Sequence, residues 1–476
     1  MCFWLIFHNI NQNIWLLNRN KYFRSHDYCT VCYIMTIQIY RFSNGFQYIV
    51  QKLETTHNKS MIYMLCEAGS IFEPDDKNGM AHIVEHLLFM TRSGKQSSSS
   101  ILQHFDSMGV EFNAHTVKQF TIFKIECLTT FLPKCIEMLG YILLQSRFDK
   151  ETIELERNVI EEENIHDLNT IQNVAYASFS KLVFSGIYKD LVDTSNSKRF
   201  NYTVQELHKF YKSVYKPSRM IMSVVSNISL STVHDYISKS EFTKGKKELI
   251  GNKKETINRN ISLSQRGYHP NIKNTNNSYI MVGFPICGFI DEKGKVIFEF
   301  TKRLLNMLNG RLFRILRAKE GLAYRFFAET EFETTQGYFS INVHTVNKNV
   351  IRLNKGVVSI IFRIFKDLVE NGFTNEEVKK GKEHLKRFFE MKSKELNCLA
   401  EYNAHELFAQ QYKNMNSKNS VITPYNEMFD KLFSQITNEE LRQYFHKYFV
   451  ESNVIISITG KSPPPHETIR RIGFRV

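Results

Sequence analysis

Residues 203–223 read TVQELHKFYKSVYKPSRMIMS, and residues 437–457 read TNEELRQYFHKYFVESNVIIS. The offset is 437 − 203 = 234, with no gap. Each copy opens on a Thr-x-x-Glu capping box, Thr203/Glu206 and Thr437/Glu440, whose hydroxyl and carboxylate satisfy backbone donors at a helix start. Each then reads as a short amphipathic helix ending in aromatics, followed by a β-rich strand. A second pair lies at a similar spacing: FDKETIELERNVIEE from Phe148 and FTNEEVKKGKEHLKR from Phe373, an offset of 373 − 148 = 225. Both read as the start of a long helix. The chain is therefore expected to hold two homologous halves, roughly 36–240 and 277–476. Residues 241–276 are polar, basic and Asn-rich, the composition of an exposed linker.

Each half mixes strands and helices. In the first, Gln47 to Gln51, Met61 to Ala68 and Phe120 to Leu128 read as strands. Gly79 to Met90, Pro133 to Ser146 and Lys150 to Leu168 read as helices. Strands that follow one another without an intervening helix predict an antiparallel sheet, and so an α+β fold.

Composition narrows the classes. With 476 residues, 42% apolar and 23% charged, the chain is long enough to bury large cores without staples. No uninterrupted apolar run reaches about 18 residues, so no membrane span is expected. The net charge of +14 comes from dispersed lysines, and no nucleic-acid motif accompanies it; a solvated basic surface is the better reading. The eight cysteines are scattered, which suits a reducing compartment, the cytoplasm or the mitochondrial matrix. Residues 1–35 stand apart. They hold both tryptophans and a single acid, Asp27, and read as a disordered or transit-like extension, or as residues upstream of a true start at Met35.

The sharpest chemical signal is HIVEH, from His82 to His86, inside GMAHIVEHLLFM. Residues four apart share one face of a helix, so His82 and His86 can reach one metal with Glu85 beside them. Two imidazoles and an acid in an otherwise apolar helix would be costly unless paired or metal-bound. Neutral imidazoles suit zinc, and a catalytic zinc takes three protein ligands plus water. Glu85 is then placed to take a proton from that water. The third ligand should be a carboxylate on another helix. In LERNVIEEENIHDL, Ile153, Glu156, Ile160, Glu163 and Asp167 fall at steps of 3, 4, 3 and 4, one helical stripe marked as buried by its isoleucines. Glu156 and Glu163 are thus expected to point inward, and Glu161 and Glu162 away.

HxxEH followed by a Glu at 163 − 86 = 77 residues resembles the inverzincin peptidases: pitrilysin, insulysin and the β subunit of the mitochondrial processing peptidase. The resemblance implies that His82, His86 and Glu163 bind one Zn2+ and that Glu85 is the base. It implies a supporting role for Glu156, seven residues before the third ligand. FNAHT, Phe112 to Thr116, resembles the family's Asn-Ala-x-Thr edge strand, which pairs with the substrate backbone, so Asn113 and Ala114 are candidates for binding substrate. GRLFRILRAKEGLAY resembles the family's Arg-then-Tyr element and points to Arg317 and Tyr324, a Tyr to donate to a developing oxyanion and an Arg to hold substrate backbone. On the residues alone, a surface salt bridge for Arg317 and a core aromatic for Tyr324 are equally open.

The resemblance covers about residues 40–460 and implies two halves enclosing a chamber, each an antiparallel sheet flanked by helices. The second half lacks HxxEH, its corresponding stretch reading EFTKRLLN from Glu299, and would be non-catalytic. The family's His-Pro-Leu-Gly stretch is replaced by SGIYKDLVDT, which leaves substrate preference open. Short members of this kind pair as homodimers or with a related subunit. The implied function is a zinc endopeptidase acting on unfolded peptides. Alternatives are the catalytic β-type subunit of a processing peptidase, with Glu161, Glu162 and Asp167 attracting basic presequences, and a non-catalytic scaffold that keeps the fold.

Overall fold

A computed structural model of the chain describes residues 37–54, 57–74, 77–90, 92–93, 98–188, 202–247, 267–352, 355–413 and 422–473. The extension 1–35 lies outside the described residues. The first sheet contains β1 (Ile37–Arg41), β2 (Gln47–Lys52), β3 (Lys59–Cys66), β5 (Glu111–Thr116), β6 (Thr121–Leu128) and β8 (Met220–Ser226), in the order β1-β2-β8-β3-β6-β5. The short β4 (Arg92–Ser93) and β7 (Ser146–Arg147) pair with each other elsewhere. The second sheet contains β9 (Gly267–Ile272), β10 (Asn277–Cys287), β11 (Arg325–Phe332), β12 (Gln336–Val346) and β13 (Ile455–Gly460), in the order β11-β12-β10-β13-β9. Read from the far edge, β2-β8-β3-β6-β5 and β9-β13-β10-β12-β11 are one pattern. All neighbours are antiparallel except the pairs β2–β8 and β9–β13, which are parallel. The repeat seen in sequence is thus a repeat of topology.

Helices follow the same order in each copy. The first has α1 (Met80–Met90), α2 (Ser98–Ser107), α3 (Leu132–Gln145), α4 (Lys150–Asn169), α5 (Ile171–Val183), α6 (Val204–Val214) and α7 (Leu230–Ser238). The second has α8 (Glu292–Asn306), α9 (Val357–Glu370), α10 (Asn375–Lys392), α11 (Leu396–Lys413), α12 (Asn438–Tyr448) and α13 (His466–Ile472). Both predicted capping boxes form, at the start of α6 and of α12.

The compact units are not the two consecutive stretches that the repeat suggests. Among the described residues, one comprises those from 37 to 156, from 202 to 247 and from 392 to 425; the other comprises those from 157 to 188, from 267 to 391 and from 426 to 473. The reason is an exchange of equivalent helices. α5 packs on β13 and β10 of the second sheet, and α11 packs on β8, β3 and β2 of the first. The same polar contact anchors both. Ser178 Oγ donates to Asn271 Oδ1 at 2.9 Å, and Asn403 Nδ2 donates to Gln51 Oε1 at 2.8 Å. The helix residues are 403 − 178 = 225 apart and the strand residues 271 − 51 = 220 apart, so each contact is the image of the other. The expected linker 241–276 is also shorter than its composition suggests. Phe242 is buried against Phe46, with ring centroids 5.0 Å apart, and Gly267–Ile272 is strand β9. β9 escaped notice because it is polar and contains Pro270, both of which an edge strand tolerates.

Arg311 anchors the segment that carries Arg317 and Tyr324. It is buried, and its guanidinium donates to both Glu377 oxygens (3.0 and 2.7 Å), to Asp367 (2.7 Å) and to the Gly372 carbonyl (2.7 Å). Burial works to raise the Glu377 carboxyl, but the Arg311 fork and the Thr374 N–H outweigh it and hold it below the usual carboxylate range. Arg311→Ala should cost about 2–3 kcal/mol by denaturant titration, less than the roughly 3–5 of a fully buried pair because both carboxylates keep some exposure. A depressed carboxylate contributes stability above its unfolded pKa and loses it as pH falls through the folded one. The gap between wild type and Arg311→Ala should therefore narrow on acidification below about pH 4.

Candidate metal centre

Helix α1 is set by its ends and by its apolar faces. Gly79 adopts φ +86°, a left-handed turn that glycine makes without strain, immediately before the helix. Glu73 supplies the cap. Its carboxylate accepts from the backbone N–H of Gly79 (3.1 Å) and Ala81 (2.7 Å) and from Asn78 Nδ2 (3.3 Å), placing negative charge at the positive end of the helix. Met80, Ala81, Ile83, Val84, Leu87 and Leu88 are buried, so the helix cannot rotate. His82 and His86 are then held half-buried on one face, and Glu85 is buried.

The two imidazoles face each other edge-on, with centroids 4.7 Å apart and planes at 88°. Their Nε2 atoms are 3.2 Å apart. His86 Nδ1 lies 2.9 Å from Glu156 Oε2 on α4, a buried carboxylate. That contact assigns the proton to Nδ1 and leaves the Nε2 lone pair directed toward His82. Two turns further along the unbroken α4, Glu163 completes a group: one donor atom each from His82, His86 and Glu163 lie within 4.8 Å of one another. Two ring nitrogens and a carboxylate oxygen so disposed are a donor set that zinc accepts.

The stripe read on α4 holds at Ile153, Glu156 and Ile160, all buried, and Glu161 and Glu162 are exposed as expected. Glu163 differs. It reaches the imidazoles but remains exposed, so this side of the cluster is open to solvent. The Asp167 side chain lies outside the described residues.

β5 borders α1. Phe112 packs on Phe89 at 4.7 Å, and Thr116 Oγ1 donates to Glu85 Oε2 at 2.6 Å. Asn113 is exposed and Ala114 half-buried on this edge strand, which among the described residues pairs only with β6. In the other unit, Arg317 lies on a π-helical turn, Phe313–Lys319, with its guanidinium 4.6 Å above the Tyr324 ring. Tyr324 is 82% exposed, which excludes the core-aromatic reading. Glu73 and Thr116 are the residues that sequence reasoning missed. Thr116 sat inside a quoted motif. Glu73 carried no local signal, because it caps a helix from across a loop.

The second half keeps the frame without the ligands. Glu299 and Thr330 stand 214 residues after Glu85 and Thr116 (299 − 85, 330 − 116), and Thr330 Oγ1 donates to Glu299 Oε1 at 2.6 Å. At the same offset, His82 and His86 become Val296 and Phe300, both buried. At the α4-to-α10 offset of 225, Glu156 becomes Gly381 and Glu163 becomes Phe388. A Cβ on Gly381 would stand 3.3 Å from Phe300 Cζ and 2.1 Å from Leu304 Cδ2. The polar His86–Glu156 contact is thus replaced by apolar packing.

Comparison with known proteins gives two family models, and the proposed ligands all fall within the first. Residues 48–183 match the model for Insulinase (Peptidase family M16), and residues 201–385 match the model for the Peptidase M16 inactive domain. An uncharacterized zinc protease of Bacillus subtilis, YmxG, is 24% identical over 353 residues, covering 74% of this chain and 83% of the relative. The β subunit of the mitochondrial-processing peptidase of Neurospora crassa is 30% identical over 166 residues, 34% of each chain. A crystal structure of a Helicobacter pylori protease superposes with a TM-score of 0.78 at 18% identity, covering 90% of this chain and all of that one, which is a likeness of fold.

Proposed function

Because the chain belongs to the insulinase family of peptidases, family M16, we propose that it is an active zinc metalloendopeptidase that hydrolyses unfolded peptides. His82, His86 and Glu163 would hold the ion, which when bound supplies a Lewis acid and an acidified water. Glu85 takes the proton of the attacking water and returns it to the leaving amine. Glu156 keeps His86 in the tautomer that presents Nε2. An extended substrate adds to the outer edge of β5 through main-chain hydrogen bonds beside Asn113 and Ala114. Arg317 and Tyr324, stacked on each other, are assigned to the substrate backbone and to the carbonyl oxygen as it gains charge. A second copy, or a related subunit, is the expected partner.

One observation supports this reading above the others. Donor atoms 77 residues apart in sequence, on α1 and α4, come within 4.8 Å. The narrower reading, a β-type processing subunit, draws on the likeness to the Neurospora protein. The scaffold reading draws on the inactive-domain match, but that match, residues 201–385, contains none of the proposed ligands.

The full-length chain should purify with one zinc per molecule and cleave a quenched peptide. Stripping the metal with a chelator should abolish cleavage, and stoichiometric zinc should restore it. Turnover that survives complete removal of zinc would exclude the mechanism.

A further inference from the structure

We propose that Thr116 is a positioning residue for the reaction assigned above, fixing the Glu85 carboxylate in the orientation in which it takes the proton. The inference rests on that assignment. Thr116 Oγ1 donates to Glu85 Oε2 at 2.6 Å, a short O–H···O hydrogen bond. The donor is well fixed. Thr116 is β-branched and so stiff about χ1, it ends a strand in register with β6, and it stands opposite Thr121, whose own hydroxyl donates to the Ala68 carbonyl at 3.2 Å. Glu85 is 7% exposed and directly precedes His86. A buried carboxylate with one oxygen pinned loses most of its rotational freedom about the terminal bond, and pre-set orientation is what a general base requires.

The second half supplies an internal comparison. The Thr330–Glu299 brace has the same length, 2.6 Å, and the same places in the fold, yet Val296 and Phe300 stand where the imidazoles would be. There Lys302 Nζ donates to Glu299 Oε1 at 2.7 Å and to Thr330 Oγ1 at 2.7 Å, so the acid is ion-paired. The position corresponding to Lys302 in the first half, 302 − 214 = 88, is Leu88, which is fully buried. A brace common to both halves is thus converted to catalytic use in one by setting histidines beside it and an apolar residue where the other has a cation.

The test compares Thr116→Val, which removes the hydroxyl at constant shape, with Thr116→Ser and with Thr330→Val, in the full-length chain. Zinc content and the kinetics of quenched-peptide cleavage are measured. Thr116→Val should lower kcat about 10-fold with KM and zinc content within twofold of wild type. Thr116→Ser should recover most of the loss, and Thr330→Val should leave kcat unchanged. Wild-type kcat in Thr116→Val overturns the proposal. So does joint loss of zinc and turnover that Ser does not rescue, which marks a brace serving the fold alone. An inactive wild type sinks the peptidase reading and this role with it, whereas an active wild type beside an equally active Thr116→Val sinks only the role.

Discussion

Glu85→Gln should retain one zinc per chain and lose about 10²–10⁴-fold in peptide turnover, the range contributed by a general base. The substitution is nearly isosteric at a buried site. The Gln carbonyl oxygen can still accept the Thr116 hydroxyl, so the brace between α1 and β5 survives and the helix keeps its place. What disappears is the capacity to take up a proton. None of the three proposed ligands is altered, and His86 keeps its contact with Glu156. Metal analysis and single-peptide kinetics on the same preparation separate the two properties. A variant that binds zinc and turns over like wild type removes Glu85 from the chemistry and requires another base. A variant that loses zinc as well shows that the acid serves the metal rather than the water.

The parts of this arrangement that sequence could disclose are those governed by helical phase. His82 and His86 at i and i+4, and Ile153, Glu156 and Ile160 at steps of 3 and 4, can fall on one face only if the segment is helical, and the structure places them so. The two capping boxes were equally legible, because their chemistry is complete within four residues. Periodicity says that a face is buried but not against what. The amphipathic pattern of α5 and α11 carries no mark of which sheet each will cover, so their exchange was invisible until contacts between Ser178 and Asn271, and between Asn403 and Gln51, could be seen. The same limit hid Glu73, whose partners are backbone amides across a loop, and the 214-residue correspondence of Glu85 with Glu299, where the flanking histidines have become Val296 and Phe300. Exposure of Glu163 was misread for a related reason. A stripe defines direction around a helix axis, whereas cover depends on where neighbouring elements end.

The two stripe glutamates of α4 allow the sharpest division of labour to be tested. Glu163→Ala should weaken zinc binding by about 10²–10³-fold. This follows from sharing the roughly 10–16 kcal/mol of a structural zinc site among its four ligands, about 2.5–4 kcal/mol each. Glu163 is exposed, so its truncation should change the stability of the metal-free state by no more than about 0.5 kcal/mol. Glu156→Gln should weaken zinc binding only about 10–100-fold, because it changes the acceptor that orients His86 and leaves every donor atom in place. Competition against a chromophoric chelator measures both, with turnover at saturating zinc as the second reading. There Glu156→Gln should regain much of its activity and Glu163→Ala should not. The reverse order of affinities would mean that the buried acid is the ligand and the exposed one its support. Unchanged affinity in both variants would mean that α4 does not hold the ion at all, and two imidazoles from a single helix would be left as too small a donor set for catalytic zinc.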